Sequence, residues 1–536
     1  MRWSALTTLT KGAQDRSQNA VFRKFIRAHP IGLALLLVTT LVLALYVTGL
    51  THNPPGFFID EAGISYNAYL IAKSGANETG VHWPLMCQLY YGSHIQYASP
   101  TQIYLLAGVF SLLNPSTRLA RLVSSVSVFC AAVLLGVLAR RVSGKRMVGL
   151  TVALIAVITP WLFEVSRLVI ETFLFPLFLV LFLLAVHTAH TRTLWRPVDS
   201  VKIAASLTLL TYSYSSGRIL APLLALGLLL FATNRRRLAG AVLTIALYAL
   251  SLIPLVVFGR DHPGALTKRF YEVSYIQRST PLSEVPAKFL SRYLQELNVW
   301  QWLIEGDPNP RHHVPGSLGS FLVGALVLSL MGIVVVLIKH RRDRWWLFLV
   351  FGLAISIIPG AISIDQFHTL RLIALPIFLL VITIPAITWL LDGWRTQERN
   401  ESSAFEGSRH ANHRKRRIAL ISVLVLAALQ AAYFQWVFHR EGPKRRDYFD
   451  VAYQEIFDQA IVFPNRPIYL IDGPGQPSYV EALWYATEKR MEQTEFVRVD
   501  RDFALPSGAM VLSRDRPCSQ CTVLLTNEPY VFYVVK

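Results

Sequence analysis

The chain has 536 residues, 53% hydrophobic and 16% charged, with a mean hydropathy of +0.41. That composition excludes a soluble globular protein, because long apolar runs need a non-aqueous solvent. The net charge of +19 is gathered in short clusters with no basic and aromatic stripe, which excludes a nucleic-acid face and leaves nucleic acid off the list of partners.

In chain order, residues 1–30 carry a basic lead (Arg16, Arg23, Lys24, Arg27) and read as a cytoplasmic N-terminal segment. The apolar run at 31–50 has no small-residue cleavage site after it, so it is a retained first span rather than a signal peptide. Further runs at 122–139, 238–259, 314–338, 345–364, 372–391 and 418–438 are each long enough to cross a hydrocarbon core of about 30 Å. Between them lie the clusters Arg140, Arg141, Lys145, Arg146; Arg235, Arg236, Arg237; Lys339, Arg341, Arg342, Arg344; and Arg414, Lys415, Arg416, Arg417. Cytoplasmic loops are enriched in such residues. Placing all of them inside turns 203–233 into two short spans with a tip at "TYSYSSGR", residues 211–218. The resulting architecture is an α-helical polytopic membrane protein of about eleven spans, N-terminus inside and C-terminus outside.

This topology leaves two outer loops, 51–117 and 260–313, inside a membrane domain covering 31–440. Residues 441–536 change texture: "RPIYLID", "EFVRV", "AMVLS" and "YVFYVV" read as short strands and "YVEALWYATEKRM" has helical spacing. They predict a small exported α/β domain. Within it Cys518 and Cys521 are a disulfide candidate on the oxidising side, while Cys130 lies in a span and is expected to pack. "NET" at 77–79 is a glycosylation sequon on the outer side, meaningful only in a eukaryote.

The polar residues of the apolar part gather on the outer side. Asp60 and Glu61 open the first loop, Arg167 and Glu171 flank one turn, Arg218 sits at the hairpin tip, and Asp365, His368 and Arg371 occupy another turn. Each also has a local explanation. Asp60 suits an N-cap, Arg167 and Glu171 a helix-surface pair, the arginines snorkelling, and His312 and His313 a solvated pair. Their shared side favours one outward polar site instead. Arginines hold phosphate bidentately and stay charged in a poor dielectric, and a facing carboxylate serves as general base for a hydroxyl.

Four stretches carry a resemblance: "FFIDEAGISYNAYLIAKSG", "TPWLFEVSRLVIETFLFPLF" (159–178), "TYSYSSGRILAPLL" (211–224) and "PGAISIDQFHTLRLIALP" (359–376). In order, spacing and sidedness the chain resembles GT-C fold glycosyltransferases, the broad family of protein O-mannosyltransferases and aminoarabinose transferases of lipid A. The resemblance implies a polyprenyl-phosphate sugar donor, transfer with inversion at the outer face, and a lipid, glycan or protein hydroxyl as acceptor. It maps the family's acidic pair onto Asp60 and Glu61, with Asp60 as base. It implies Arg167, Arg218 and Arg371 at the donor phosphate, with His368 and Lys73 assisting, and Glu171, Tyr212, Tyr214 and Asp365 in support.

No cofactor is assigned and no residue is named as a metal ligand, although Asp60 and Glu61 side by side suit a divalent metal and metal dependence varies across the superfamily. Residues 260–313 are too short for the large folded insert of eukaryotic-type protein mannosyltransferases. The expected location is a bacterial plasma membrane, although basic inner loops fit an endoplasmic reticulum equally well. A polysaccharide polymerase or ligase, and a lipid-linked sugar transporter or flippase, are the alternative functions.

Overall fold

The computed structural model describes residues 30–92, 95–392, 406–473, 476–514 and 520–536. The basic N-terminal lead and Cys518 lie outside them. The chain divides into a first unit ending at Thr48 and a second, Gly49–Lys536. In the first unit the helix α1 (Pro30–Val47) is 18 residues long. At about 1.5 Å per residue it reaches about 27 Å, close to the thickness of a bilayer core.

The second unit begins with α2 (Ile59–Ser74), the hairpin β1 (Cys87–Leu89) and β2 (Gln96–Ala98), and α3 (Pro100–Phe110). Its bundle comprises α4 (Thr117–Ser143), α5 (Arg146–Ile158), α6 (Pro160–Val165), α7 (Phe175–His190), α8 (Pro197–Ser213), α9 (Ser215–Gly227), α10 (Arg235–Ser251) and α11 (Ile253–Asp261). The second loop holds α12 (Lys268–Val273) and α13 (Val285–Glu296). The bundle resumes with α14 (Val323–Lys339), α15 (Arg344–Ile355), α16 (Ile358–Ala361), α17 (Ala374–Asp392) and α18 (Glu406–Glu441). Helical segments thus stand at each expected span. Five described stretches, Thr117–Ser143, Arg235–Asp261, Arg344–Ala361, Ala374–Asp392 and Arg414–Lys444, are long and apolar enough to cross a membrane. This is an integral membrane protein.

Prolines divide several of these helices. Thr159 is extended ahead of Pro160, as a residue before proline prefers, and this separates α5 from α6. The hairpin foreseen at 211–218 is present: Tyr214 breaks the helix at φ −158, ψ 153 between α8 and α9. The two helices approach so closely there that a Cβ on Gly217 would lie 2.0 Å from the Leu210 carbonyl oxygen. Only glycine fits that crossing.

The basic clusters meet at one end of the bundle. Lys145 pairs with Asp392, Arg237 donates to the carbonyls of His190 and Arg192 at 3.2 and 2.7 Å, and His190 lies 3.6 Å from Asp343. Arg416 stacks over Trp389 at 4.2 Å. Neighbouring helix connections therefore share their cationic rim.

The C-terminal segment adds α19 (Val451–Ala460), β3 (Ile468–Ile471), α20 (Tyr479–Glu488), β4 (Phe496–Val499), β5 (Met510–Ser513), β6 (Cys521–Asn527) and β7 (Tyr530–Val535). Its sheet has the order β4-β3-β5-β7-β6, parallel across β4, β3 and β5 and antiparallel beyond. The strands read from the sequence are all present. The segment belongs to the same compact unit as the bundle. Trp484 of α20 stacks on Phe57 at 5.3 Å and donates to Thr117 Oγ1 at 3.0 Å, while Glu488 caps the Thr117 amide at 2.9 Å. Thr117 opens α4, whose far end carries Arg140 and Arg141, so this segment covers the end opposite the basic rim.

Three local expectations change. The Asn77 side chain is 4% exposed and bonds the amides of Thr79 and Val81, so the sequon is folded inward and closed to a glycan. Cys130 is a free thiol on the exposed face of α4 rather than a packing residue. Cys521 is disulfide-bonded; the partner expected for it, Cys518, is outside the described residues.

Candidate active site

The two adjacent acids have different fates. Phe58, not Asp60, is the N-cap of α2, and Glu61 turns back to accept the Phe58 amide at 3.4 Å. The Glu61 carboxylate is held bidentately by Arg121 of α4 at 3.0 and 2.7 Å and also accepts the Val169 amide at 3.0 Å. The other Arg121 donors reach the carbonyls of Leu50, Pro54 and Gly56, so all five N–H groups of the guanidinium are engaged. Glu61 is 1% exposed and Arg121 0%. Glu61, expected as a catalytic partner of Asp60, also lines the cavity described below, with its acceptor sites occupied by Arg121, Phe58 and Val169.

Asp60 is exposed on the helix and faces a cavity of about 1620 Å³. Glu171, Tyr214, Arg218, Asp365, His368 and Arg371, all predicted from sequence, line the same space. Residues drawn from four separate turns therefore do converge. Glu171 accepts the Ser99 amide, and Arg218 lies 3.4 Å from Ser99 Oγ. Burial pushes the Glu171 carboxyl above its usual range, with Ser99 and Arg218 opposing. Arg371 pairs with Asp365 at 2.6 Å.

Other expected residues stand elsewhere. Arg167 is 1% exposed and its guanidinium lies over Phe163 and Phe438, at 5.1 and 5.5 Å, outside the cavity lining. Lys73 is exposed over Tyr69 at the far end of α2, and the Tyr212 hydroxyl donates to the Ser251 carbonyl at 2.9 Å. Neither lines the cavity.

The structure adds residues that sequence reasoning passed over. Arg311, from the second loop, stacks over Phe58 at 4.1 Å and lines the cavity beside Asp60. Among the described residues its guanidinium has no ion-pair partner. Burial lowers its pKa while Asp60 opposes, and a guanidinium remains charged throughout. The neighbouring "HH" was the one signal available. Those histidines are not a solvated pair: His313 is 2% exposed, with Nδ1 2.7 Å from Glu164, and His312 Nδ1 lies 3.1 Å from Asp307 Oδ2.

Asp307, His312 and His368 can bring one ligand atom each to within 4.8 Å of one another. One oxygen and two imidazole nitrogens fit a divalent ion of zinc type. The Asp307 oxygens also accept the Asn309 amide at 2.9 Å and the Thr369 amide and hydroxyl at 2.8 and 2.7 Å, so Asp307 is hydrogen-bonded without an ion, whereas His368 Nδ1 is buried with no hydrogen-bond partner among the described residues. Burial drives His368 down to about 3, with His312 adding to it, which keeps the imidazole neutral.

Behind this wall Glu296 closes α13. It is 1% exposed and burial raises its pKa to about 7, against the nearby Arg292 and Arg371. Both states are protonated below the unfolded value near 4.5, and the buried charge destabilises the fold as pH rises through 7. Glu296→Gln is therefore expected to raise the melting temperature at pH 8 and leave it unchanged at pH 4.5. Equal shifts at both pH values would contradict this.

No family model matches the chain, and no curated protein matches it in sequence. Solved structures do. ArnT from Cupriavidus metallidurans bound to undecaprenyl phosphate matches with a TM-score of 0.57 and 12% identity, over 94% of this chain and 98% of that one. The apo form of ArnT gives the same score over 95% of this chain. The archaeal oligosaccharyltransferase AglB from Archaeoglobus fulgidus, in complex with an inhibitory peptide and a dolichol-phosphate, matches with a TM-score of 0.51 and 16% identity, over 88% of this chain and 64% of its own. At such identities the likeness is one of fold, and the chain carries the GT-C fold that its four sequence stretches implied.

Proposed function

We propose that the protein is a membrane glycosyltransferase that moves a sugar from a polyprenyl-phosphate donor to a hydroxyl acceptor at the extracytoplasmic face. One observation carries the reading: an exposed carboxylate, Asp60, and the guanidinium groups of Arg218, Arg311 and Arg371 line one cavity at the end opposite the basic rim. Basic loops stay in the cytoplasm, which turns the cavity outward and accords with about eleven spans and an outer C-terminal segment. Two of the three similar structures hold a lipid phosphate, undecaprenyl phosphate in ArnT and dolichol-phosphate in AglB. An anion of that kind is the ligand that this arginine set suits.

In this reading the acceptor hydroxyl hydrogen-bonds Asp60, which takes its proton as the oxygen attacks the anomeric carbon. The bond from that carbon to the phosphate oxygen breaks with inversion, and the electron pair leaves on the phosphate. Arg311, Arg218 and Arg371 meet the charge that develops there. A divalent ion at Asp307, His312 and His368 would add cationic charge beside the same phosphate.

The test is transfer by the purified protein in detergent, given polyprenyl-phosphate hexose and pentose donors and lipid, glycan or peptide hydroxyls. A glycosylated acceptor supports the reading. No product with any donor, together with transport activity in sealed vesicles, overturns it. Competition by a diphosphate-linked donor separates a polymerase or ligase. Arg311→Ala is expected to lower kcat/KM for the donor about 10- to 100-fold, the worth of a charge-assisted hydrogen bond, at constant melting temperature. An unchanged kcat/KM would remove Arg311 from the donor site.

A further inference from the structure

Among the described residues Asp60 accepts a side-chain hydrogen bond from Tyr90, and that donor is an unusual residue. Tyr90 follows strand β1, is 2% exposed, and has a φ of +68. Bulky side chains rarely adopt that region, so the surrounding structure must hold it there. Its hydroxyl lies 3.1 Å from Asp60 Oδ1 and 3.3 Å from the Ile59 carbonyl. Burial and the Asp60 charge keep the phenol protonated, and therefore a donor. Its ring lies against α2 at Gly63, where a Cβ would come within 3.1 Å of it.

The main chain of Tyr90 is fixed from another quarter. Its amide donates to Glu78 Oε1 at 2.6 Å, and Glu78 Oε2 accepts the Tyr479 hydroxyl at 2.9 Å. Tyr479 opens α20 in the C-terminal segment and is 1% exposed. Its own amide donates to Asp472 Oδ1 at 3.0 Å, just past β3. Arg498 lies over Tyr479 and Tyr91 at 5.6 Å from each ring. A continuous chain of bonds thus runs from the sheet through Tyr479 and Glu78 to the Tyr90 backbone and, through its hydroxyl, to Asp60.

We propose that Tyr90 is the positioning residue for Asp60 and that the C-terminal segment sets it through the Tyr479–Glu78 bond. The inference rests on Asp60 as the base. It gives the C-terminal segment a role inside the reaction: the segment keeps the carboxylate pointed at the incoming hydroxyl. Tyr90, Glu78 and Tyr479 are not among the residues that line the cavity.

The experiment measures kcat and donor KM for the full chain in detergent with a polyprenyl-phosphate sugar that the protein turns over. Tyr90→Phe is expected to lower kcat about 10- to 100-fold, as loss of a hydrogen bond to a charged group does, with donor KM within about twofold. In an Asp60→Asn background the same change is expected to have no further effect, because nothing remains to be positioned. Tyr479→Phe, made from the far end of the chain of bonds, is expected to lower kcat about 3- to 10-fold, again at constant KM. Wild-type kcat in Tyr90→Phe, or an equal fractional loss in the Asp60→Asn background, overturns the inference while leaving the base intact. A fully active Asp60→Asn overturns both.

Discussion

Asp60→Asn is expected to lower sugar transfer about 10²- to 10⁴-fold, the usual worth of a general base, with no loss of folded protein. The side chain is exposed into the cavity, so the amide creates neither a void nor an unpaired buried charge. Asparagine keeps the shape and can still accept from Tyr90, yet it cannot take a proton from the acceptor hydroxyl. The loss should therefore appear in kcat. The assay compares initial rates of transfer and melting temperature in one detergent preparation. Full activity would end the assignment of Asp60 as base.

One residue away the expected outcome inverts. Arg121→Leu is expected to cost about 3–5 kcal/mol, because it leaves the Glu61 carboxylate charged, buried and without its partner. The carbonyls of Leu50, Pro54 and Gly56 lose their donors as well. Thermal unfolding should show a drop of many degrees or a failure to accumulate, regardless of substrate. Adding Glu61→Leu should recover part of the stability, since an apolar pair of similar volume removes the stranded charge. If Arg121→Leu melts with the wild type, the anchor assigned to Glu61 is wrong.

The two adjacent acids show how much of the site was legible. Their position at the start of an outer loop, and the arrival of Glu171, Arg218, Asp365, His368 and Arg371 on the same side, could be read from span length and the placement of basic loops. Those are one-dimensional properties. Which acid is tied up in an ion pair could not, because it depends on Arg121, 60 positions along the chain, finding Glu61 rather than Asp60. The same limit explains Arg167. An arginine beside a turn looks like a phosphate ligand until Phe438, far along the chain in α18, stacks on it. Arg311 was missed for the converse reason: its loop has no pattern that ties it to Phe58.

The sequence by itself determined a helical membrane protein with its basic loops on one rim, the hairpin at 211–218, and the strands of the C-terminal segment. Apolar run length, charge bias and alternation are each dictated locally. Tertiary structure alone decided that the C-terminal segment is joined to the first loop, with Glu78, Tyr90 and Tyr479 between it and Asp60. Buried hydrogen bonds between residues hundreds of positions apart leave no periodic trace, since each needs only one donor and one acceptor brought to about 3 Å.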